Sequence, residues 1–245
     1  MPPTLFVSDL HLSRRRPALV EAFRALLAGP VREAGALYVL GDLFDIWLGD
    51  DQLRDPLAAD VAAALAASAG AGVRVYLQRG NRDFLLGERF ARAAGATLLP
   101  DAIVHPLHGT PTLLMHGDQL CTDDLKYQRY RAWWADPAHR RRFLGLPWFA
   151  RRGIGAMLRS ASRRANRGKT ETIMDVSDDA VVAALREHRV SRLIHGHTHR
   201  PARHEHVVDD VRRERLVLAD WYDRASYLFV DEQGAEARSY EGGSG

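Results

Sequence analysis

The chain of 245 residues contains only one cysteine, Cys121. A single cysteine excludes an internal disulfide framework and is typical of proteins that work in a reducing compartment. The chain also lacks any uninterrupted apolar run of about 18 residues, the length that a membrane-spanning helix requires. Its first residues lack the basic and apolar regions of a signal peptide. We therefore expect a cytosolic protein that does not span a membrane.

No internal repeat is present, and a chain of this length is expected to form one α/β core with an insertion rather than two large domains. Short apolar runs bounded by Gly or Pro predict buried strands at residues 4–7, 37–40, 73–77, 112–115 and 193–194. Between them, Leu19, Phe23 and Leu26 recur at helical spacing, and the alanine-rich residues 57–69 have high helix propensity. This alternation predicts a layered α/β fold whose loops gather at the carboxyl edge of the sheet.

Each predicted strand leads to side chains that can bind a metal ion. The five blocks read SDLH, GDLFD, GNRD, MHGD and HGHTH. They contribute seven candidate ligands: Asp9, His11, Asp42, Asn81, His116, His197 and His199. Because ligands in α/β folds gather at the carboxyl ends of the strands, we expect these side chains to meet at one rim.

These residue types fit a site for two divalent ions held about 3.5–4 Å apart, which needs one carboxylate to bridge them. We predict that Asp42 is the bridge. The other six divide into two sets: Asp9, His11 and His199 at one ion, and Asn81, His116 and His197 at the other. Nitrogen and oxygen ligands without thiolate suit Mn²⁺, Zn²⁺ or Fe.

Taken singly, each block has a simpler interpretation. Asp-x-His after a strand is commonly a turn, Gly-Asp is a common loop dipeptide, and a single buried histidine is often a core residue. Taken together, in this order and each after a strand, the blocks favour a two-metal phosphoesterase. We assign no role to the histidines that lack this context: His105, His108, His139, His188, His204 and His206.

At these blocks the chain resembles the calcineurin-like metallophosphoesterase superfamily, whose motifs are Asp-x-His, Gly-Asp, Gly-Asn-His-Asp/Glu, His-Gly and Gly-His-x-His. The resemblance implies a layered α/β core of β-sheets flanked by helices. One motif departs, because Arg82 stands where many members have a histidine often invoked as the general acid. A phosphate monoester leaving from a diphosphate needs no such acid, since its second pKa is about 6. An arginine would instead neutralise phosphate charge, so a pyrophosphate substrate is favoured.

Longer stretches resemble the UDP-2,3-diacylglucosamine pyrophosphohydrolase family of lipid A synthesis. They read FVSDLHL, VLGDLFDIW, RGNRDFL, MHGD, IHGHTHRP and LADWY, and the likeness extends over residues 4–240. It implies hydrolysis of UDP-2,3-diacylglucosamine to UMP and 2,3-diacylglucosamine 1-phosphate (lipid X) with two divalent ions, usually Mn²⁺. It also implies a peripheral protein at the cytoplasmic face of the bacterial inner membrane. The positions that match the family's substrate contacts are Asn81, Arg82, Asp124, Ser162, Asn166, Lys169 and His197.

A basic and aromatic segment interrupts the alternation of strands and helices after the His116 block. Residues 122–169 contain thirteen Lys or Arg against three Asp, a net charge of +10, which leaves −7 for the rest of a chain whose total is +3. The segment also contains three of the five tryptophans. We predict a helical cap at 122–170, inserted in a core formed by 1–121 and 171–241, with a flexible tail at 242–245.

Three interpretations of this segment stay open. It can be a solvated helical lobe, since charge runs are commonly exposed faces. The same charge could bind nucleic acid. Arginines with apolar aromatics could also bind an anionic membrane surface, which an acylated substrate favours, so we expect no nucleic-acid partner. The sequence identifies no protein partner.

Ser162, Asn166 and Lys169 are spaced i, i+4 and i+7, which places them on one face of a helix. A hydroxyl, an amide and an ammonium group on one face would suit a diphosphate and its sugar. The alternative is an arginine-rich helix with polar filler, because such triplets also arise by chance.

The expected mechanism is in-line attack on one phosphorus by a water that both metals activate. Asp42, Asn81 and His116 would act through the metals, and Arg82 would offset charge in the transition state. Another two-metal phosphoesterase, acting on nucleotides or nucleic acid, would have the same metal blocks. A non-enzymatic scaffold would be expected to have lost ligands, and none is lost here. Spacing alone identifies neither the phosphorus attacked, the acyl chains, the metal nor the oligomeric state.

Overall fold

The computed structural model describes residues 1–166, 175–222 and 225–240, together with their side chains except those of residues 159–166. Its strands are β1 Thr4–Val7, β2 Ala36–Leu40, β3 Arg74–Gln78, β4 Ala96–Leu98, β5 Ala102–Leu107, β6 Thr110–Met115, β7 Arg192–His195, β8 Ala202–Val208, β9 Val211–Val217, β10 Ala225–Asp231 and β11 Gly234–Tyr240. Its helices are α1 Pro17–Ala28, α2 Pro56–Gly70, α3 Glu88–Ala93, α4 Leu125–Ala135, α5 Pro137–Leu144, α6 Trp148–Asn166 and α7 Asp178–Glu187. Short 3₁₀ helices cover Pro30–Glu33, Asp50–Arg54 and Asp118–Leu120.

The strands form two sheets. The first has the order β11-β10-β1-β2-β3-β4, and the second has the order β5-β6-β7-β9-β8. Strands β1, β2, β3 and β4 run parallel, as do β6, β7 and β9, whereas β10, β11, β5 and β8 pair antiparallel with their neighbours. The parallel strands of both sheets therefore each have a common carboxyl edge.

The two sheets pack face to face between layers of helices. Phe6 and Tyr38 from the first sheet meet Leu114 and Ile194 from the second in a buried apolar cluster. Helices α1, α2 and α3 pack on the outer face of the first sheet, and α7 packs on the outer face of the second. Every residue of β1, β2 and β7 is buried, which explains why β1 and β2 read as apolar runs and why Leu193 and Ile194 form the centre of β7. The predicted layered α/β core, with sheets flanked by helices, is confirmed.

Helices α4, α5 and α6, which we call the helical insertion, form an extra unit between β6 and β7. Unlike α7, they pack against the first sheet's side of the molecule, where the Trp134 ring lies 4.3 Å from Phe84. Arg151 on α6 is buried and donates hydrogen bonds to the Leu48 carbonyl, at 2.6 Å, and to the Asp51 carboxylate, at 3.0 Å. The segment is helical, as predicted. Its predicted bounds at residues 122 and 170 stay a prediction, because residues 167–174 lie outside the described part of the chain.

Within the described residues, no helix combines the length and the apolar character that crossing a bilayer requires.

Candidate metal centre

The structure gathers all seven candidate ligands at one place. Their loops follow β1, β2 and β3 in the first sheet and β6 and β7 in the second, at the carboxyl ends of parallel strands. Backbone hydrogen bonds join these loops directly: Asp9 N–H donates to the Gly41 carbonyl at 3.2 Å, and Gly196 N–H donates to the His116 carbonyl at 2.8 Å. The site therefore lies where the edges of both sheets meet.

Three of the ligands form one group. His199 Nε2 lies 3.2 Å from Asp9 Oδ1, and His11 Nε2 lies 3.4 Å from His199 Nε2 and 4.0 Å from Asp9 Oδ1. These three side chains can each offer one atom to a common metal ion. His11 Nδ1 is buried without a hydrogen-bond partner among the described residues, which is costly for a polar atom unless something else binds it. The donors fit a divalent ion with mixed nitrogen and oxygen ligation.

The second predicted set also comes together. Asn81 Oδ1 lies 3.0 Å from His116 Nε2 and 2.9 Å from His197 Nδ1. His116 Nδ1 lies 2.9 Å from the Leu40 carbonyl and donates to it, so this bond fixes the ring and aims Nε2 into the site. His116 additionally groups with Asp9 and Asp42 as a possible metal set, which links the second group to the first.

Asp42 lies between the two groups. Its Oδ2 is 3.7 Å from His11 Nδ1, and its Oδ1 is 3.9 Å from His116 Nε2. The Arg82 backbone N–H donates to Oδ1 at 2.7 Å. Each carboxylate oxygen thus faces a different ligand group, which is the placement that a bridging carboxylate needs.

Five of the seven ligands adopt a left-handed backbone conformation. The residues are Asp9 (φ 56°), His11 (φ 49°), Asp42 (φ 54°), His197 (φ 69°) and His199 (φ 57°). This region is unfavourable for residues other than glycine and marks functional sites when the surrounding structure enforces it. Gly80 and Gly196 explain part of that enforcement, because a Cβ at either would collide with the Asp42 or Asp9 carboxylate. The motif glycines therefore allow the loops to approach these carboxylates.

The electrostatics of the site favour bound cations. Burial, reinforced by Asp83 and Asp9 and opposed by His116, raises the pKa of Asp42 to about 8. Burial alone would lower the pKa of His116, but Asp42 and Asp9 outweigh it and raise that pKa to about 9. Burial opposes ionisation of Asp9 as well, but the hydrogen bond from His199 and the charge of His116 hold the pKa of Asp9 well below its usual range. Asp42 is stable as an anion only with further positive charge, which divalent ions would provide. The residues present therefore fit the metals that the sequence predicts.

Two of the histidines would bind an ion as neutral rings. Burial, together with the charge of His116, lowers the pKa of His197 to about 4. Burial also lowers the pKa of His11 to about 4, although Asp9 opposes it. Neutral imidazole is the form that ligates metals, so these two rings are ready to bind at neutral pH.

Sequence reasoning missed the side chains that hold the ligands in place. Ser8 Oγ donates to Asp9 Oδ2 at 2.7 Å, and the His197 backbone N–H donates to the same oxygen at 2.8 Å, which leaves Oδ1 directed at His199. The signal was available, since Ser8 stands directly before the first predicted ligand. Such outer contacts fix ligand orientation and basicity in metal sites.

Asp83, the last residue of the GNRD block, is a second missed residue. Its buried carboxylate accepts backbone N–H bonds from Gly80 at 2.7 Å, Leu43 at 2.8 Å, Asp42 at 3.2 Å and Phe44 at 3.4 Å. The Asp83 side chain thus joins the loop that carries Asp42 to the loop that carries Asn81.

The structure describes only some of the side chains that are predicted to contact the substrate. Arg82 is half-buried, and no described residue forms a hydrogen bond or ion pair with its guanidinium, so a cation is available beside the ligands. Asp124 Oδ1 accepts the Tyr127 backbone N–H at 3.1 Å and caps α4. Ser162 and Asn166 fall within α6, as predicted, but their side chains lie outside the described residues, and so does all of Lys169.

The helical insertion is tied to the ligand loops through Asp118. Tyr127 Oη donates to Asp118 Oδ2 at 2.6 Å, and Arg131 Nε donates to the same oxygen at 3.1 Å. The Tyr127 ring also stacks on His197, with ring centroids 6.0 Å apart. The position of α4 is therefore coupled to the loops that carry His116 and His197.

Known proteins are similar to this chain over most of its length. A family model of calcineurin-like phosphoesterases matches residues 2–201. The chain is 48% identical over 233 residues to proteins of Escherichia fergusonii and Shigella sonnei that are both named UDP-2,3-diacylglucosamine hydrolase, covering 95% of this chain and 97% of each relative. A solved archaeal phosphodiesterase covers 97% of this chain and 99% of its own at 11% identity, with a TM-score of 0.47. The predicted resemblance is confirmed, and the chain belongs to the calcineurin-like phosphoesterase family.

Proposed function

We propose that this protein is a hydrolase that cleaves the diphosphate bond of UDP-2,3-diacylglucosamine and releases UMP and 2,3-diacylglucosamine 1-phosphate. Relatives that carry the name of this activity align with nearly the whole chain at 48% identity. The observation that carries the proposal is the convergence of two candidate ligand groups on Asp42, beside an Arg82 guanidinium that pairs with none of the described residues. This combination provides for both a dinuclear metal site and an anionic substrate.

Two divalent ions are the proposed cofactors, and Mn²⁺ is the proposed metal. Asp9, His11 and His199 would hold one ion, and Asn81, His116 and His197 would hold the other, with Asp42 shared. When bound, such ions supply a water of lowered pKa as nucleophile and positive charge for the phosphate oxygens.

The protein's own groups hold this arrangement in its reactive geometry. The hydrogen bond from His116 Nδ1 to the Leu40 carbonyl keeps Nε2 on the side of the ring that faces Asn81 and Asp42. Donors on one oxygen of Asp9 leave its other oxygen for ligation. Because these bonds form before substrate arrives, little reorganisation is needed in the transition state.

Arg82 provides the charge that the leaving group requires. In the proposed reaction, a water oxygen bonds to the uridine-side phosphorus, its protons pass to solvent and the product phosphates, and the bond from that phosphorus to the bridging oxygen breaks. The oxygen leaves as part of a phosphate monoester, which needs no proton from the protein because its second pKa is about 6. A planar guanidinium can contact two phosphate oxygens at once, which a histidine cannot do.

We assign recognition of the rest of the substrate to the predicted cap at residues 122–170, which contains the helical insertion. Ser162, Asn166 and Lys169 are the proposed contacts there, with Asp124 at the start of α4. The i, i+4 and i+7 spacing of Ser162, Asn166 and Lys169 in the sequence, and the match of all four residues to the family pattern, support this assignment.

A substrate panel with Mn²⁺ tests the function directly. The protein should release UMP from UDP-2,3-diacylglucosamine and be far slower on UDP-N-acetylglucosamine, a cyclic nucleotide and DNA. Hydrolysis in ¹⁸O-labelled water should place the label in UMP, because attack at the uridine-side phosphorus leaves the new oxygen there. Label in the lipid product would reverse the assignment of the phosphorus. Preferred cleavage of DNA or the cyclic nucleotide would refute the proposed substrate.

The second partner that we propose is an anionic membrane surface, contacted from the cytoplasmic side of the inner membrane. The end of α5, the turn after it and the start of α6 together expose four large apolar side chains, of which Phe149 is 77% exposed. The other three are Leu144, Leu146 and Trp148. Arg141, Arg142 and Arg152 are exposed beside them. Arginines attract anionic lipid while apolar side chains enter the interface, so the two features together suit a bilayer better than bulk water.

Vesicle flotation tests this contact. Arg141→Ala/Arg142→Ala should weaken binding to anionic vesicles by up to about fivefold for each lost charge. Phe149→Ala should weaken binding even at high salt, where the Coulomb attraction is screened. Arg203→Ala/Arg212→Ala removes the same charge from the distant β8 and β9 strands and should have little effect. Equal losses in both double variants would show that net charge alone, rather than this surface, governs binding.

A further inference from the structure

Asp220 contacts a proposed metal ligand from outside the family-model match, which ends at residue 201. Its Oδ2 lies 3.2 Å from His199 Nδ1, while His199 Nε2 lies 3.2 Å from Asp9 Oδ1. The imidazole of His199 is thus held between two carboxylates, one at each ring nitrogen. Only the Nε2 side faces the other ligands.

The backbone around Asp220 fixes the position of its carboxylate. Leu218 N–H donates to the His195 carbonyl at 2.7 Å, and Trp221 N–H donates to the Asp9 carbonyl at 3.2 Å. Trp221 is buried, and its indole N–H donates to the Ser226 carbonyl at 2.8 Å. Residues 218–221 therefore connect the loop after β1 with the end of β7, and Asp220 stands within this connection.

We infer that Asp220 is a positioning residue for His199, an inference that rests on the metal site of the proposed function. A histidine that ligates through Nε2 must keep its proton on Nδ1, and that proton needs an acceptor. Asp220 Oδ2 is the acceptor that the structure provides. The bond selects the tautomer, holds the ring plane and makes Nε2 a stronger donor to the ion. Asp220 does not touch the substrate or the ion.

Metal retention tests this role without any substrate. Holoenzyme purified from manganese-supplemented cells would be dialysed against graded concentrations of a chelator, and the remaining metal counted. Asp220→Ala should lose one ion at roughly 10- to 100-fold lower chelator concentration than wild type. Asp220→Asn retains an acceptor oxygen but not the charge, so it should lose the ion at a chelator concentration nearer to about 10-fold than to 100-fold below that of wild type. Asp210→Ala, an exposed aspartate on the β8–β9 turn, is the matched control and should retain metal like wild type.

Each outcome bears on a different claim. If both Asp220 variants retain metal like wild type, the positioning role is wrong. If wild type itself holds no divalent ion, the proposed function fails instead. If Asp220→Ala does not fold, the Asn variant decides, because unchanged chelator sensitivity there overturns the inference. The melting temperature of the chelated variants should match that of chelated wild type, which separates loss of a ligand's support from general destabilisation.

Discussion

Replacement of Asp83 tests whether its carboxylate holds the metal loops together. Among its backbone donors, the bonds from Gly80 at 2.7 Å and Leu43 at 2.8 Å are the shortest. A hydrogen bond to a charged group contributes about 1.5–3 kcal/mol, and a buried donor left without a partner costs about 1–3 kcal/mol. Removing the carboxylate also removes the cost of burying it, so we use the lower values of both energy ranges. Asp83→Ala should therefore lower the free energy of unfolding by about 3 kcal/mol.

For a chain of this size, that loss corresponds to a fall in melting temperature of about 6–12 °C. The assay is thermal unfolding followed by circular dichroism with a chelator present, so that metal binding does not alter the comparison. Asp231→Ala is the control, because the Asp231 carboxylate accepts backbone N–H bonds from Gln233 and Gly234 but lies at the end of β10, beside an exposed turn where water can replace it. A melting temperature for Asp83→Ala within about 2 °C of wild type would refute the reasoning, since it implies under about 1 kcal/mol.

Three further outcomes follow from the site. Asp42→Ala should abolish hydrolysis and reduce bound metal while the circular dichroism spectrum stays native; near-wild-type turnover at full occupancy would remove Asp42 from the mechanism. Arg82→Ala should lower kcat/KM by about 10²- to 10³-fold, and Arg82→Lys should restore only part of it if both phosphate oxygens are contacted, which steady-state kinetics would measure. Because the pKa of His116 in the metal-free protein is about 9, metal binding below that pH must displace its proton. Affinity for divalent ions should therefore rise with pH up to about 9, with proton release detected by calorimetry in two buffers; affinity that is constant from about pH 6.5 to 9 would contradict this.

The sequence predicted five strands, which match β1, β2, β3, β6 and β7, and the place where the candidate ligands gather, because both depend on local patterns. Continuous apolar runs such as β1 and β2 occur where a strand is buried on both faces, and the fold places them there. A ligand directly after such a strand must lie at the carboxyl edge, so Asp9 and Asp42 needed no tertiary information. Strand β8 and the β10–β11 hairpin contain many partly exposed residues and gave no comparable signal.

The supporting roles of Asp83 and Asp220 could not be found in this way, although Ser8 stands directly before the first candidate ligand. Asp220 reaches His199 across 21 positions of the chain, and Asp83 reaches Leu43 across 40. Both depend on which loops become neighbours when two sheets meet, which no local period encodes. The left-handed conformation of Asp42 is equally invisible, because aspartate occurs in many backbone conformations.

The left-handed ligand residues place stability and activity in opposition. Each such residue costs about 1–3 kcal/mol in backbone strain, and five of them together are comparable with the about 5–15 kcal/mol that separates a folded domain from its unfolded chain. Glycine at any of these positions would relieve the strain and remove a ligand in the same step. Directed evolution that selects only for heat resistance would therefore be drawn to the catalytic centre, and its most stable products would be inactive.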